Sequence, residues 1–453
     1  MSGRGDSNSR PLRPERSALT GLRYAPKYLQ SKNSLLQVEL QSSSRKNCKF
    51  DLIFINYSKY METWKKNLFI LWIALFFSAT GLSAVVPFLP LFIRELGVTN
   101  LAETSRWSGY VFSAPFLVSF FIIPIWGSLG DKYGQKLMTL RAVLGLAIAL
   151  LLMALSQNVV QLFIFRILQG ALSGFYPAAL ALAVSTSPKE RTGYALGVIL
   201  SASTSGNVVG PLFGGVLSQL FGFRNVFVIV GIIIFICALL ILFYLKEEKN
   251  TEDKNETAYS VMDNWKYVFS TKQILLAGIL ILMSSFAVSL LAPIFVLYVE
   301  TFKIEPSSLP LITGILYSIL GLFATISSLL FGKKIDEKGY KKNLILSSAI
   351  IGLMFLLHFY VYQIYYLIPI RILLGFGFGF LTPVLFTALS KKVVLHRKAG
   401  VMGIGSSFQI LGNMVGPVSS GFIGAMFGVR YSFILAGIIF LFITIISLKF
   451  VKE

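Results

Sequence analysis

Long stretches without a charged residue dominate this sequence and restrict the folds that it can adopt. From Asn67 onward, charge-free runs succeed one another, and short polar segments between them carry most of the charges. A helix needs about 20 apolar residues to cross a bilayer, and most of these runs reach that length. Charged residues make up only 13% of the chain, against roughly 25% in a soluble domain. The sequence therefore predicts an all-α polytopic membrane protein and excludes a disordered chain or a disulfide-stapled secreted module.

Two of these runs are too long for a single helix. Residues 142–188 are interrupted only by Arg166, and residues 343–390 only by Arg371. Polar turns at 156–158 and near Gln363 divide each run into two helices. The sequence then predicts twelve transmembrane helices, at residues 68–92, 107–126, 137–155, 159–184, 194–220, 225–245, 273–299, 309–331, 343–361, 364–389, 400–426 and 430–449.

The basic residues concentrate on one side of this predicted topology. The net charge is +21. From Met61 on, and with the N-terminus inside, the cytoplasmic segments hold 23 Lys and Arg residues, whereas the outer loops hold five. This bias predicts that both termini are cytoplasmic and that the protein spans the cytoplasmic membrane. No basic stripe follows a helix face, so the lipid bilayer is an expected partner and nucleic acid is not.

The chain divides into four predicted parts. Residues 1–60 form a basic polar tail, residues 61–245 a first six-helix bundle, residues 246–272 a charged cytoplasmic connector, and residues 273–453 a second six-helix bundle. Three interpretations of the tail stay open. Either the start is misassigned and Met61 is the true first residue, or the segment is a disordered cytoplasmic tail, or it is an organelle transit peptide. We favour the first, because Met61 leads straight into the first span.

An internal repeat relates the two bundles. The segment 127–134 parallels 332–339, Arg166 and Gly170 parallel Arg371 and Gly375, and 206–211 parallels 412–417. The offsets are 205, 205 and 206 residues. A near-constant offset across three motifs predicts two pseudo-symmetric six-helix halves, which is the layout of one large class of secondary transporters.

On these motifs the chain resembles the major facilitator superfamily over residues 61–453. The segment 127–136 resembles motif A of that family, with Gln135 where the pattern has a basic residue, and the segment 166–170 resembles motif B. Gly206, Gly210, Pro211, Gly214 and Gly215 match the fixed positions of motif C, the signature of drug:proton antiporters. The resemblance implies a twelve-helix exporter of amphipathic drugs or other small molecules that works by alternating access and proton antiport.

The motifs also have a direct physical interpretation. We expect motif A to act as a conformational switch through its Gly, Asp and Lys residues, which are Gly127, Asp131, Gly134 and Lys136, with Gly332, Asp336 and Gly339 in the repeat. Its glycines allow a tight turn, and its carboxylate could cap a helix or pair with a cation. In motif C, glycine lets backbones touch and proline removes a helical hydrogen bond, so we expect a kinked, tightly packed fifth helix that seals the outer side.

The charges inside the predicted spans point to the transport pathway. Arg166 and Arg371 are the ionised residues that the predicted spans enclose, and no carboxylate lies at a span centre. Arginine inside a membrane is costly and faces a cavity or a partner. We therefore expect Arg166, Gln169, Gly170, Tyr176 and Arg371 to belong to a substrate or proton pathway. Further candidates for the cavity, which the resemblance places between helices 1, 4, 7 and 10, are Ser284, Ser285, Phe376 and Phe380.

These observations predict the partners and leave two other functions open. A cavity with arginines and no central carboxylate favours anionic or neutral amphipathic substrates over cations. Protons are the second expected partner, although the sequence identifies no proton carrier. We expect a functional monomer that needs no metal or cofactor and is not an enzyme, since the sequence has no catalytic motif. An organic-anion uptake permease and a non-transporting receptor or sensor remain as alternatives.

Overall fold

The computed structural model describes residues 46–247, 261–338, 340–391, 393–394 and 397–451. Side chains are described over the same ranges apart from residues 46–62, 131, 189, 261, 331–338 and 399. The side chains of Asp131 and Asp336 and the whole of Gly339 therefore lie outside the described residues, whereas the backbone of Gly332 and Asp336 is described. Most of the predicted tail, residues 1–45, also lies outside them.

The described residues form sixteen α-helices. They are α1 Lys46–Ala84, α2 Leu89–Glu95, α3 Leu101–Tyr133, α4 Gln135–Ala154, α5 Val159–Ala171, α6 Phe175–Thr186, α7 Thr192–Phe221, α8 Phe223–Tyr244, α9 Val261–Ser270, α10 Lys272–Ser289, α11 Phe295–Glu300, α12 Leu309–Lys338, α13 Tyr340–Phe359, α14 Leu367–Lys391, α15 Lys398–Met426 and α16 Tyr431–Phe450. Two short 3₁₀ helices, Lys189–Arg191 and Ile364–Tyr366, complete them.

Eleven of the described segments are long and apolar enough to cross a membrane. Helix α15 supplies the twelfth span. It is 29 residues long, but its glycines, its serines and the amides of Gln409 and Asn413 lower its mean hydropathy. The twelve-helix prediction is therefore confirmed, and the protein is a multi-pass membrane protein. Helix α1 also begins earlier than the predicted span, at Lys46.

Three predicted helices are interrupted in the structure. The first and seventh spans each break before a short final helix, at residues 85–88 and 290–294. Each break contains a proline, Pro87 or Pro293, which cannot donate the helical hydrogen bond. The fourth span breaks at residues 172–174 without a proline, where Gly174 takes a left-handed φ of 105°. The sequence predicted continuous helices at 68–92, 159–184 and 273–299, and this prediction was wrong at the three breaks.

The two halves repeat one another down to single hydrogen bonds. Each half has its own hydrophobic core, the first within residues 64–245 and the second within residues 268–451. In the first half the Ser83 hydroxyl donates to the Gly206 carbonyl oxygen over 3.2 Å. In the second half the Ser289 hydroxyl donates to the Gly412 carbonyl oxygen over 3.1 Å. Both residues of the second bond lie 206 positions after those of the first, as the sequence repeat predicts.

The halves contact each other mainly through two helix pairs, α3 with α15 and α7 with α12. The backbones approach closely where glycines lie. A Cβ atom built on Gly109 would lie 2.5 Å from the Pro417 carbonyl oxygen, and one built on Gly215 would lie 2.9 Å from Cα of Leu311. Real side chains essentially never come so close, so these positions require glycine as the helices now stand.

An ion pair joins the halves at the same end of the bundle. Arg94, at the end of α2, donates through Nη1 to Oε1 of Glu300, at the end of α11, over 2.6 Å. We call this end, which carries the turns at 97–100, 222 and 427–430, the closed end. The opposite end carries the turns at 134, 187–191 and 245–247.

The same helix faces are separated at the opposite end. Residues 18 positions apart share a helix face, because 18 residues complete five turns of 3.6 residues. Positions 127, 197 and 403 lie 18 residues along their helices from the packed glycines 109, 215 and 421, and each is itself a glycine. A Cβ atom at any of these three positions would meet none of the described atoms within 4 Å. We call this the open end, because the helix faces that touch at the closed end diverge there.

This difference between the ends predicts selective disulfide formation. In a background without Cys48 and Cys237, Ser105→Cys with Gly424→Cys should form a disulfide on mild oxidation. The reason is that a Cβ on Gly424 lies 3.4 Å from Cβ of Ser105, close to disulfide geometry. The matched control, Ile123→Cys with Ser406→Cys, lies five turns along the same faces and should cross-link far more slowly. A gel shift with a thiol-reactive polymer measures both rates, and equal rates would contradict the open end.

Candidate functional site

A cavity of about 360 Å³ lies in the first half beside the interface with the second half. Most of its lining comes from α3 and from both sides of the break between α5 and α6. Its lining residues are Leu82, Val86, Phe112, Pro115, Phe116, Ser119, Ile123, Ala142, Leu146, Arg166, Gln169, Leu172, Ser173, Gly174, Phe175, Tyr176, Pro177 and Ile410. Ile410 is supplied by α15 of the second half. The cavity is therefore mainly apolar and aromatic, with a few polar groups on the fourth span.

Arg166 and Gln169 form the polar part of this cavity. Both are buried, and Arg166 is only 7% exposed. Arg166 donates through Nη1 to Oε1 of Gln169 over 2.9 Å, and its Cζ lies 5.8 Å from the ring centre of Phe112. The Nε of Arg166 has no hydrogen-bond partner among the described residues. The predicted residues Arg166, Gln169 and Tyr176 are thus brought together on one cavity.

Side chains of α3 and α4 donate hydrogen bonds to the backbone carbonyl groups at the break in the fourth span. Arg141 of α4 donates through Nη1 to the Leu172 carbonyl oxygen over 3.3 Å and through Nη2 to the Ser173 carbonyl oxygen over 3.0 Å. The Trp126 indole donates to the Ala171 carbonyl oxygen over 2.8 Å, and the Arg141 Cζ lies 3.6 Å from the Trp126 ring centre. Free carbonyl groups inside a membrane need such partners, so Arg141 and Trp126 make the break possible.

Arg141 corrects the sequence interpretation of the charges. That interpretation placed only Arg166 and Arg371 inside spans. In the structure Arg141 lies within α4, a membrane span, and its guanidinium reaches the break in the neighbouring span. Its position inside the predicted helix 137–155 was a signal that could have identified it.

Arg371 has a different environment from Arg166. It is 2% exposed, and its Cζ lies 3.6 Å from the ring centre of Phe295 and 5.6 Å from that of Tyr317. Its Nε and Nη2 have no partner among the described residues. It is not among the residues that line the cavity described above. The two repeat-related arginines therefore differ, because Arg371 is covered by aromatic rings within the second half.

Other predicted cavity residues lie away from this cavity. Ser284 and Ser285 are buried in α10, where Ser285 is packed against Gly412. Phe376 packs its ring on Phe323, and Phe380 is buried in α14. The described cavity is lined by the first four spans and by Ile410 of α15, so of helices 1, 4, 7 and 10 only helices 1 and 4 contribute to it. The small and aromatic residues of α10 and α14 are used in packing between helices.

Motif A forms the turn between α3 and α4 at the open end. Gly134 has a φ of 101°, which favours glycine. The backbone N–H groups of Gln135 and Lys136 donate to the two carboxylate oxygens of Glu247, over 2.8 and 2.9 Å. The Lys136 ammonium donates to the Leu242 carbonyl oxygen over 3.1 Å. Glu247, which the sequence analysis assigned only to the connector, therefore caps α4 and ties it to the end of α8.

Motif C lies on α7 and contacts both halves. Its glycines at 206, 210 and 214 face α1, and a Cβ on Gly210 would lie 2.6 Å from the Thr80 carbonyl oxygen. Gly215 faces α12 of the second half. A Cβ on Gly314 of α12 would lie 3.0 Å from the carbonyl carbon of Pro211. Gly170 of motif B packs in the same way, because a Cβ there would lie 2.7 Å from Cα of Pro115.

Comparisons with known proteins agree on one family. The sequence profile of the Major Facilitator Superfamily matches residues 71–360 and 279–453. The chain is similar to the multidrug resistance protein MdtG of Enterobacter lignolyticus (strain SCF1), with 36% identity over 84% of this chain and 90% of that protein. It is also similar to MdtG of Salmonella arizonae, with 35% identity over 85% of this chain and 95% of that protein.

Solved structures share the fold at low sequence identity. The nucleoside transporter NupG superposes with a TM-score of 0.69 and 15% identity, over 85% of this chain and 99% of that one. The human organic anion transporter MFSD10 (TETRAN) superposes with a TM-score of 0.64 and 16% identity, over 85% of this chain and 99% of that one. The twelve-helix architecture is therefore that of known transporters.

The packing of α7 predicts that substitution by leucine lowers stability at one of its glycines and not at another. Gly210→Leu should lower stability by about 1–3 kcal/mol or more, because the side chain would collide with α1. Gly197→Leu should leave the melting temperature almost unchanged, because a Cβ there meets none of the described atoms within 4 Å. Both proteins should insert, since leucine raises hydrophobicity. Thermal unfolding of the purified variants measures the difference, and equal melting temperatures would contradict this packing.

Arg141 donates to two carbonyl groups at the break in the fourth span, and we predict that lysine cannot replace it there. An ammonium lacks the planar fork that reaches two carbonyl groups and stacks on Trp126. Arg141→Lys should therefore destabilise the protein by about 1–3 kcal/mol, the cost of leaving a buried polar group without a partner. Thermal unfolding followed by tryptophan fluorescence measures this loss. A lysine variant as stable as the parent would show that these contacts of Arg141 do not stabilise the break.

Proposed function

We propose that this chain, which belongs to the major facilitator superfamily, exports small amphipathic molecules from the cytoplasm by alternating access coupled to proton antiport. It is a transporter of the inner membrane, as its family and its membrane spans establish. Its similarity to multidrug resistance proteins at 35–36% identity supports export of drugs. The observation that most favours alternating access is the glycine faces that are packed at one end and parted at the other.

The open glycine positions suggest how the alternation works. If the halves rock about their middle, the faces at 127, 197 and 403 approach while those at 109, 215 and 421 separate. Glycine would then be needed at both ends, because each end becomes the interface in one of the two conformations. Gly127 belongs to motif A, so this movement gives motif A its role as a switch. Asp131 and the repeat residues would contribute at the same end.

The topology that the loops predict gives the side of the membrane to which the open end faces. The excess of Lys and Arg places the turns at 134 and 187–191, and hence the open end, in the cytoplasm. The structure then corresponds to a conformation that accepts substrate from the cytoplasm. Breaking the ion pair of Arg94 with Glu300 would be part of opening the other side. Drug uptake from the cytoplasm followed by release outside is the sequence expected of an exporter.

The cavity favours anionic or neutral substrates. Its described lining carries the cation Arg166 and no carboxylate. A cationic drug would find no counter-charge there, which is expensive in a low dielectric. An anionic group can instead pair with Arg166 and offset its desolvation. Arg166 should matter more than Arg371, which is covered by Phe295 and Tyr317.

Flux in proteoliposomes tests the proposal and its alternatives. A fluorescent amphipathic anion should be exported faster when protons flow down their gradient in the opposite direction, into the compartment that the anion leaves, as antiport requires. Gly197→Leu should keep its fold yet lose most of the flux, because leucine obstructs closure of the open end. Movement of the anion and protons in the same direction would instead indicate an uptake permease. Flux in neither direction, with binding intact, would favour a receptor.

A further inference from the structure

The break in the fourth span leaves backbone donors without partners at membrane depth. Helix α6 begins at Phe175 with no side-chain cap. The N–H groups of Gly174, Phe175 and Tyr176 make no hydrogen bond with the described residues. The carbonyl side of the same break is satisfied by Arg141, Trp126 and Ser119. Only the donor side is therefore left open, and all three donor residues line the cavity.

A second feature of the same cavity also suits an anion. Arg166 is more than nine-tenths buried, its side chain lines the cavity, and its Nε has no partner among the described residues. Helix α6 is 12 residues long, so its N-terminus carries a partial positive charge. Helix N-termini that present free N–H groups bind carboxylates and phosphates. A buried guanidinium and such an N-terminus share one cavity of about 360 Å³.

The rest of the cavity suits an apolar body. Phe112, Phe116, Phe175 and Tyr176 contribute aromatic rings, and aliphatic side chains complete the lining. Aromatic side chains pack well against flat rings of a ligand. The cavity thus combines the polar groups of the fourth span with aromatic rings from α3 and from the start of α6.

We propose that the break in the fourth span is a subsite for the oxyanion group of the substrate, held between the N-terminus of α6 and Arg166. This deepens and rests on the exporter proposed above, because it assigns the anionic group to named atoms. The substrate class is an amphipathic carboxylate with an aromatic or aliphatic body. The carboxylate accepts hydrogen bonds from the backbone N–H groups and from the guanidinium, and Arg141 keeps the break open from the other side.

Gln169 allows the subsite to be tested without a change of volume. Its Oε1 already accepts a hydrogen bond from Arg166. Gln169→Glu would place a permanent carboxylate against that guanidinium and compete with the ligand. Gln169→Met, the matched control, has a similar size and no charge. The probes are 2-naphthylacetate and its methyl ester, and their Kd values are measured by fluorescence with the purified full-length protein.

The ratio of acid to ester affinity decides the outcome. It should fall by about tenfold or more in Gln169→Glu relative to Gln169→Met, because a charge-assisted hydrogen bond is lost. An equal ratio in the two variants, or a wild type that binds the ester better than the acid, would overturn the subsite. Flux is measured separately. A charge-dependent ratio without any export would refute the exporter and leave the subsite standing.

The backbone donors have their own test. Phe175→Pro removes one N–H at the first helical position, where the N–H makes no hydrogen bond within the helix. Phe175→Ala removes the same ring and keeps the N–H. The acid-to-ester ratio should be about fivefold lower in the proline variant, the effect of one hydrogen bond. Equal ratios would remove the N-terminus of α6 from the site. If the proline variant does not fold, the Gln169 pair decides alone.

Discussion

Backbone contact between the two halves, made possible by glycine, is the constraint on which the rest of this structure depends. In a membrane, lipid is as apolar as leucine, so helices associate through close van der Waals packing rather than through the hydrophobic effect. Gly109 with Gly421, and Gly215 with Leu311, provide that packing at the closed end. Glycines five turns away on the same helices leave the open end apart. One set of sequence features therefore explains both a closed and an open end.

The fourth span shows a second consequence of the membrane. Backbone groups there must find partners within the protein, so a broken helix is tolerated only where it is buried or lines a cavity. Arg141 and Trp126 satisfy the carbonyl side of the break, and the N–H side faces the cavity beside Arg166. The cost of burying Arg166 is thereby linked to binding. Arg371, in the second half, contacts Phe295 instead and has no equivalent cavity among those described.

The sequence predicted the twelve spans and the duplication, because both depend on hydrophobic length and on regular spacing. The duplication extends to loops: Arg224 donates to the Ala154 carbonyl oxygen, and Arg430 donates to that of Phe359. The sequence also assigned Arg166, Gln169 and Tyr176 to one predicted helix; in the structure they line one cavity, although the break separates Tyr176 from the other two. It could not predict the break at Gly174, because no proline marks it, nor the contact of Arg141 with that break. Such contacts depend on tertiary geometry between helices that periodicity does not encode.

The central claim is that the two ends open and close alternately about the glycine contacts. Pulsed electron–electron double resonance, which measures distances between spin labels, tests it most directly. One pair of labels spans α3 and α15 at the closed end, and a second pair spans them at the open end. When a substrate and a proton gradient drive transport, the distance at the closed end should lengthen while the distance at the open end shortens. Distances that change together, or an open-end distance that never shortens, would contradict the alternation.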